Sequence, residues 1–67
     1  MKNVYRHFKG GLYQVIGRAT HTETLEDMVV YKSLETGKMW VRPAEMFFGY
    51  IETEQYKGFR FTAVNEE

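Results

Sequence analysis

The sequence predicts an all-β fold: a small SH3-like barrel of about five strands with one short helical turn. Three observations point there. Short segments alternate with period two and are separated by glycine-bearing turns. A proline-led stretch, Pro43-Ala44-Glu45-Met46-Phe47-Phe48, precedes the last strand and suits one helical turn with Pro at its start. Five Tyr, five Phe and Trp40 supply core volume to a chain of only 67 residues. Residues 1–67 are expected to form one domain. A chain this short buries only roughly 60% of the surface its unfolded form exposes. Large rings, each burying about 150–250 Å², offset that shortfall. An OB-type barrel usually needs a longer chain and stands second.

Tyr5-Arg6-His7-Phe8 alternates weakly and ends at Lys9-Gly10-Gly11, a strong turn signal. Leu12 to Thr20 resumes as a strand. Tyr13, Val15, Gly17 and Ala19 share one side of it, and Leu12, Gln14, Ile16 and Arg18 the other; the two small residues mark a bend or a close backbone approach. Residues 21–27 are polar and read as a loop with room for one helical turn, because Thr20 and Glu23 have capping-box spacing. Met28 to Leu34, rich in β-branched and aromatic residues, is the strongest strand.

Glu35-Thr36-Gly37 then suits a three-residue hairpin loop with Gly37 in the left-handed region. That closure sets Leu34 opposite Lys38, Ser33 opposite Met39, Lys32 opposite Trp40, Tyr31 opposite Val41 and Val30 opposite Arg42. Val29, Tyr31, Ser33, Met39 and Val41 then face the core, while Val30, Lys32, Lys38, Trp40 and Arg42 face outward. A slip of one residue would exchange the faces. Gly49 ends the helical turn, and Tyr50-Ile51-Glu52-Thr53 forms a short strand. Tyr56-Lys57-Gly58 turns the chain, Phe59 to Val64 alternates as the last strand, and Asn65-Glu66-Glu67 forms a frayed tail.

Composition narrows the function classes. Cysteine is absent, so disulfides and thiolate zinc sites are excluded. Nine basic and nine acidic residues give a net charge of zero, which argues against a general polyanion binder. The charge is nonetheless uneven. Residues 1–18 carry Lys2, Arg6, Lys9 and Arg18 with no acid, a balance of +4. Residues 43–67 carry five Glu against Lys57 and Arg60, a balance of −3. Lys2 is not followed by an apolar stretch, so no signal peptide is expected. Runs such as Met28-Val29-Val30-Tyr31 are too short to span a bilayer. A soluble, cytoplasmic domain with no membrane partner is expected.

Chemistry-bearing residues are sparse. His7 and His21, with Glu23, Glu26 or Asp27 nearby, offer a His/carboxylate set that makes a metal or small-molecule site only if the fold joins the two histidines. Their ordinary reading is a strand side chain and a loop side chain. Ser33 is the only serine and no nucleophile elbow surrounds it. No phosphate loop is present, and no cofactor is expected. The strongest cluster is Trp40 with Lys32 and Arg42, with Tyr31 and His21 in range. An aromatic plane beside cations stacks on a base, a proline or another ring; its plain alternative is a self-contained cation–π contact.

Several of these residues occur as an ordered set: Tyr5-Arg6-His7-Phe8-Lys9-Gly10-Gly11, Tyr13-Gln14-Val15 with Gly17, His21-Thr22-Glu23-Thr24, Val29-Val30-Tyr31, and Trp40-Val41-Arg42-Pro43 with Met46-Phe47. The set resembles a family of small bacterial proteins grouped as a domain of unknown function, number sixteen fifty-three. The resemblance spans residues 4–61 and implies a compact, SH3-like bacterial β-domain; it implies no activity. Two features depart from the family pattern. The loop at Glu35-Thr36-Gly37-Lys38 is shorter than the family's Gly- and Tyr-containing one, and Phe59 stands where the family tends to place proline before Arg-Phe.

Three functional readings follow. The favoured one is a non-enzymatic binding or adaptor module that presents the face around Trp40, Lys32 and Arg42 to a protein or a small molecule. The alternative is a small-molecule or metal site, conceivably enzymatic, at His7, His21, Glu23 and Tyr31. The third, weak nucleic-acid binding through the basic N-terminal third, is disfavoured by the net charge. Exposed rings on so small a domain also allow a homo-oligomer. One prediction concerns the hairpin. Gly37→Val places a β-branched residue in the left-handed region and is expected to lower stability by more than ~0.5 kcal/mol in urea denaturation; a smaller loss contradicts the turn assignment.

Overall fold

In the computed structural model, which describes residues 2–64, the chain alternates short strands with tight loops. They are β1 (Val4–His7), β2 (Leu12–Thr20), β3 (Asp27–Ser33), β4 (Met39–Pro43), a one-turn helix α1 (Ala44–Phe47), β5 (Tyr50–Glu52), β6 (Lys57–Phe59) and β7 (Phe61–Ala63). Five strands form one antiparallel sheet in the order β4-β3-β2-β1-β7, and β5 pairs with β6 as a separate hairpin. Among the described residues no ladder joins β4 to β7, so the pairing is that of an open sheet. The expected tail at 65–67 lies outside the described residues.

Four loops are closed by the same device. A side-chain acceptor at the start of each loop takes backbone N–H groups two or three residues further along, inside the loop. His7 Nδ1 accepts from Lys9 N at 3.1 Å. His21 Nδ1 accepts from Glu23 N at 3.1 Å and Thr24 N at 3.3 Å. Ser33 Oγ accepts from Glu35 N and Thr36 N, each at 3.2 Å. Thr53 Oγ1 accepts from Gln55 N at 3.2 Å and Tyr56 N at 3.0 Å. Such bonds satisfy amides that a tight reversal removes from the ladder. The segment after β2 holds no helix but a hydrogen-bonded turn, Leu25 N donating to His21 O at 2.8 Å, and its side-chain acceptor is His21 rather than Thr20.

The Ser33 device corrects the expected hairpin register. Gly37 does adopt a positive φ, 78°. However, Ser33 N donates to Lys38 O and Gly37 N to Ser33 O, each at 2.9 Å, so four residues form the loop rather than three. Tyr31 therefore lies opposite Trp40, Val29 opposite Arg42 and Lys32 opposite Met39. The β3 faces stand as expected, whereas the β4 faces are exchanged. Trp40 and Arg42 join Val29 and Tyr31 on the core side, and Met39 and Val41 point away, 51% and 58% exposed.

Two further departures are local. The bend anticipated near Gly17 is a β-bulge: Val15 pairs with Tyr31 but Gly17 with Val30, so Ile16 is the extra residue. Beyond it the alternation changes phase, and Arg18 rather than Gly17 shares the side of Val29. There its guanidinium lies 5.5 Å from the Phe48 ring centroid and pairs with Asp27. The single last strand expected over 59–64 is instead split at Arg60 into β6 and β7. Arg60 makes the corner by donating its backbone N to Gly49 O at 3.0 Å and its Nε to Met46 O at 3.2 Å.

The core is a ring cluster on the concave side of the sheet. Val29, Tyr31, Phe47 and Phe61 are buried, with Tyr5, Tyr13, Val15 and Ala44 packed against them. Phe47 from α1 stacks on Phe61 from β7 with centroids 4.0 Å apart and planes at 7°. Tyr31 meets both edge-on, at 5.0 Å and 5.5 Å. Since Phe47 is fully buried, Phe47→Ala is expected to cost about 3–5 kcal/mol in urea denaturation, with Phe47→Leu losing less. Equal stability of wild type and Phe47→Ala would contradict this packing.

Candidate functional site

A cleft of about 120 Å³ opens on the concave side, lined by His7, Tyr13, Tyr31, Trp40, Arg42 and Phe61. Every strand of the large sheet contributes to it: β1 His7, β2 Tyr13, β3 Tyr31, β4 Trp40 and Arg42, β7 Phe61. Cross-strand pairing dictates this. His7 lies opposite Phe61 and Tyr31 opposite Trp40, so each pair shares a face.

The walls are rings set mostly edge to face. His7 lies 4.9 Å from Phe61, Tyr13 is 5.6 Å from Tyr31, and Tyr13 is 5.8 Å from Phe61. Among the described residues one charged side chain lines the cleft. Arg42 donates Nε to the Tyr31 hydroxyl at 3.3 Å. At the rim, Lys38 Nζ lies 4.5 Å from the centroid of Trp40, which is 44% exposed. Among the described residues no carboxylate lines the cleft.

His7 carries the electrostatic signature of the site. Burial, followed by the positive charges of Arg42, Arg60 and Lys9, holds its imidazole below the ordinary value of 6.5. Its Nδ1 accepts from Lys9 N, so the neutral ring bears its proton on Nε2.

A model of the family described as Protein of unknown function (DUF1653) matches residues 3–63. The chain belongs to this family. A crystal structure of a DUF1653 protein from Bordetella bronchiseptica is similar, with a TM-score of 0.82 and 32% identity over 97% of this chain and 87% of that one. No curated protein matches. The family expected from the residue motifs is therefore the right one.

In this DUF1653 chain the fold brings together four of the seven residues singled out in the sequence: Trp40, Arg42, Tyr31 and His7. Lys32 is not among them. It lies opposite Met39 on the other face, and the lysine over Trp40 is Lys38. The four-residue loop is the physical reason. His21 and Glu23 are also elsewhere. His7 sits beside the start of β2, where Arg6 pairs with Leu12, while His21 follows its last residue, Thr20. A strand of that length separates them by roughly 25 Å. The two histidines do not converge, and each spends Nδ1 on a loop amide. Among the described residues, no group of three or more His, Asp or Glu is placed to hold a metal ion, and no helix is long and apolar enough to cross a membrane.

Tyr13 and Phe61 escaped notice as site residues because their alternation reads equally well as core. The available signal was quantity: the rings on one face exceed what so small a core can cover.

His7 also gives a pH prediction. Its folded pKa is lowered, so below 6.5 the unfolded chain takes up a proton that the fold resists. This contribution is present above the ordinary value and is lost as the pH falls toward the lowered one. Urea midpoints are expected to drop between about pH 8 and about pH 5.5, and less steeply in His7→Gln. Identical slopes would contradict the assignment.

Proposed function

We propose that this protein is a non-enzymatic binding module whose receptor site is the Trp40–Arg42 cleft. One observation carries the reading: every strand of the sheet sends a ring or the guanidinium into one concave opening, where rings offer contact area and Arg42 offers directed donors. Clefts with apolar walls and a few placed polar groups are the usual form of a ligand site. Catalysis is disfavoured because, among the described residues, the lining holds no nucleophile–base pair. The serine hydroxyl is buried and committed to Glu35 N and Thr36 N.

The reading includes an SH3-like barrel. Support comes from the two sheet edges, which approach through side chains rather than a ladder. Helix α1, directly after β4, stacks Phe47 on Phe61 of β7, and Arg60 binds Met46 O and Gly49 O. It also includes a bacterial, cytoplasmic setting, supported by the bacterial source of the similar crystal structure and by the cysteine-free sequence. The partner is a small molecule or a single protruding side chain of another protein, because the opening is too small for a peptide segment.

The test is amide and indole NMR of labelled protein against a fragment set of mixed charge and ring content. Shifts at Trp40, Arg42, Tyr31 and His7, with His21 and Glu23 unmoved, are expected. Shifts confined to the His21 loop, or no shift with any fragment, would overturn the reading.

A further inference from the structure

The cleft's own chemistry narrows its ligand, and this step rests on the binding-module reading above. Charge comes first. The chain is neutral overall, yet the groups around the cleft are cationic: Arg42 in its wall, Lys38 at Trp40, and Arg60 and Lys9 acting with Arg42 on His7. An anion placed here meets these charges in a partly desolvated site, where they are screened less than on an open surface.

Geometry comes second. Arg42 spends Nε on the Tyr31 hydroxyl, which holds the guanidinium plane in place. Both Nη groups make no hydrogen bond or ion pair with any described residue. A fixed guanidinium fork matches a carboxylate by two parallel hydrogen bonds. His7, with Nδ1 occupied, has Nε2–H as its remaining donor.

Size comes third. An apolar protein cavity of about 150 Å³ admits benzene. A cleft of about 120 Å³ that opens to solvent therefore suits one ring and is too small to enclose a nucleotide. Tyr13, Tyr31, Phe61 and Trp40 supply ring faces and edges on its walls.

We propose that the cleft binds a single-ring aromatic or heteroaromatic monocarboxylate, with the carboxylate on Arg42 and the ring held among Tyr31, Phe61 and Trp40. A bound anion stabilises the imidazolium of His7 against the repulsion of Arg42, Arg60 and Lys9, and offsets the loss of the Lys9 N bond when Nδ1 takes the second proton. The other titratable side chains facing His7 from the packed strands are Tyr13 and Tyr31, which line the cleft with it. Affinity therefore rises as the pH falls toward the His7 titration.

The experiment follows Trp40 fluorescence and amide shifts of the full chain with benzoate and nicotinate. Acetate, benzamide, benzylamine and phenyl phosphate serve as comparisons. Benzoate or nicotinate is expected to shift the cleft resonances at a concentration at least tenfold below any of these. Arg42→Gln is expected to remove that tenfold preference, and Arg42→Lys, which keeps charge and stem without the fork, to reduce it. In wild type, saturating benzoate is expected to raise the His7 pKa measured by ring-carbon NMR. Benzamide or benzylamine binding the cleft as well as benzoate overturns the carboxylate assignment and leaves the binding module standing. Phenyl phosphate binding as well as or more tightly than benzoate also overturns it, in favour of a phosphorylated ring. Cleft resonances that respond to no compound overturn the module and this inference together. A His7 pKa unmoved by saturating benzoate overturns the placement of the anion, independently of any variant.

Discussion

The stack of Phe47 on Phe61 is the contact on which the rest of the molecule depends. It joins a helix that follows one edge strand to the strand at the opposite edge, although those strands share no ladder. Aromatic pairs contribute about 0.5–1.5 kcal/mol beyond the area they bury. Their larger effect here is to tie α1, next to β4, to β7 at the far edge of the sheet. With Phe47 above the sheet, Tyr5, Tyr31 and Phe61 converge on it, and the concave face fills from one end. The other end is left open at Trp40, which is 44% exposed with Lys38 over its ring. The cleft is a consequence of covering a five-stranded face with a four-residue helix.

The loops explain why the two histidines are not a site together. In a chain this small, reversals between strands carry a large share of the exposed amides, and each unpaired amide is costly if shielded from water. His7, His21, Ser33 and Thr53 solve the same problem in four places. His7 differs from the other three only in its surroundings. Its ring packs on Phe61 and Tyr13 and faces the charge of Arg42, so a turn residue also becomes a wall of the cleft.

What the sequence by itself determined is the class of fold, the family, and which residues stand out. Periodicity placed most strands, because half-buried strands must alternate. Pro43 and Gly49 bounded the helical turn, and Gly37 marked the left-handed residue of the hairpin. Trp40, Arg42, Tyr31 and His7 were recognisable as chemistry-bearing from residue type alone. The tertiary structure decided which of them meet. A loop one residue longer than expected moved Trp40 and Arg42 from the outer face to the core side and removed Lys32 from their company. A bulge at Ile16 did the same to Arg18. Strand side chains repeat every two residues, so a single residue of slip inverts a face. That residue was set by hydrogen bonds of Ser33 and by cross-strand packing, neither of which local sequence patterns encode.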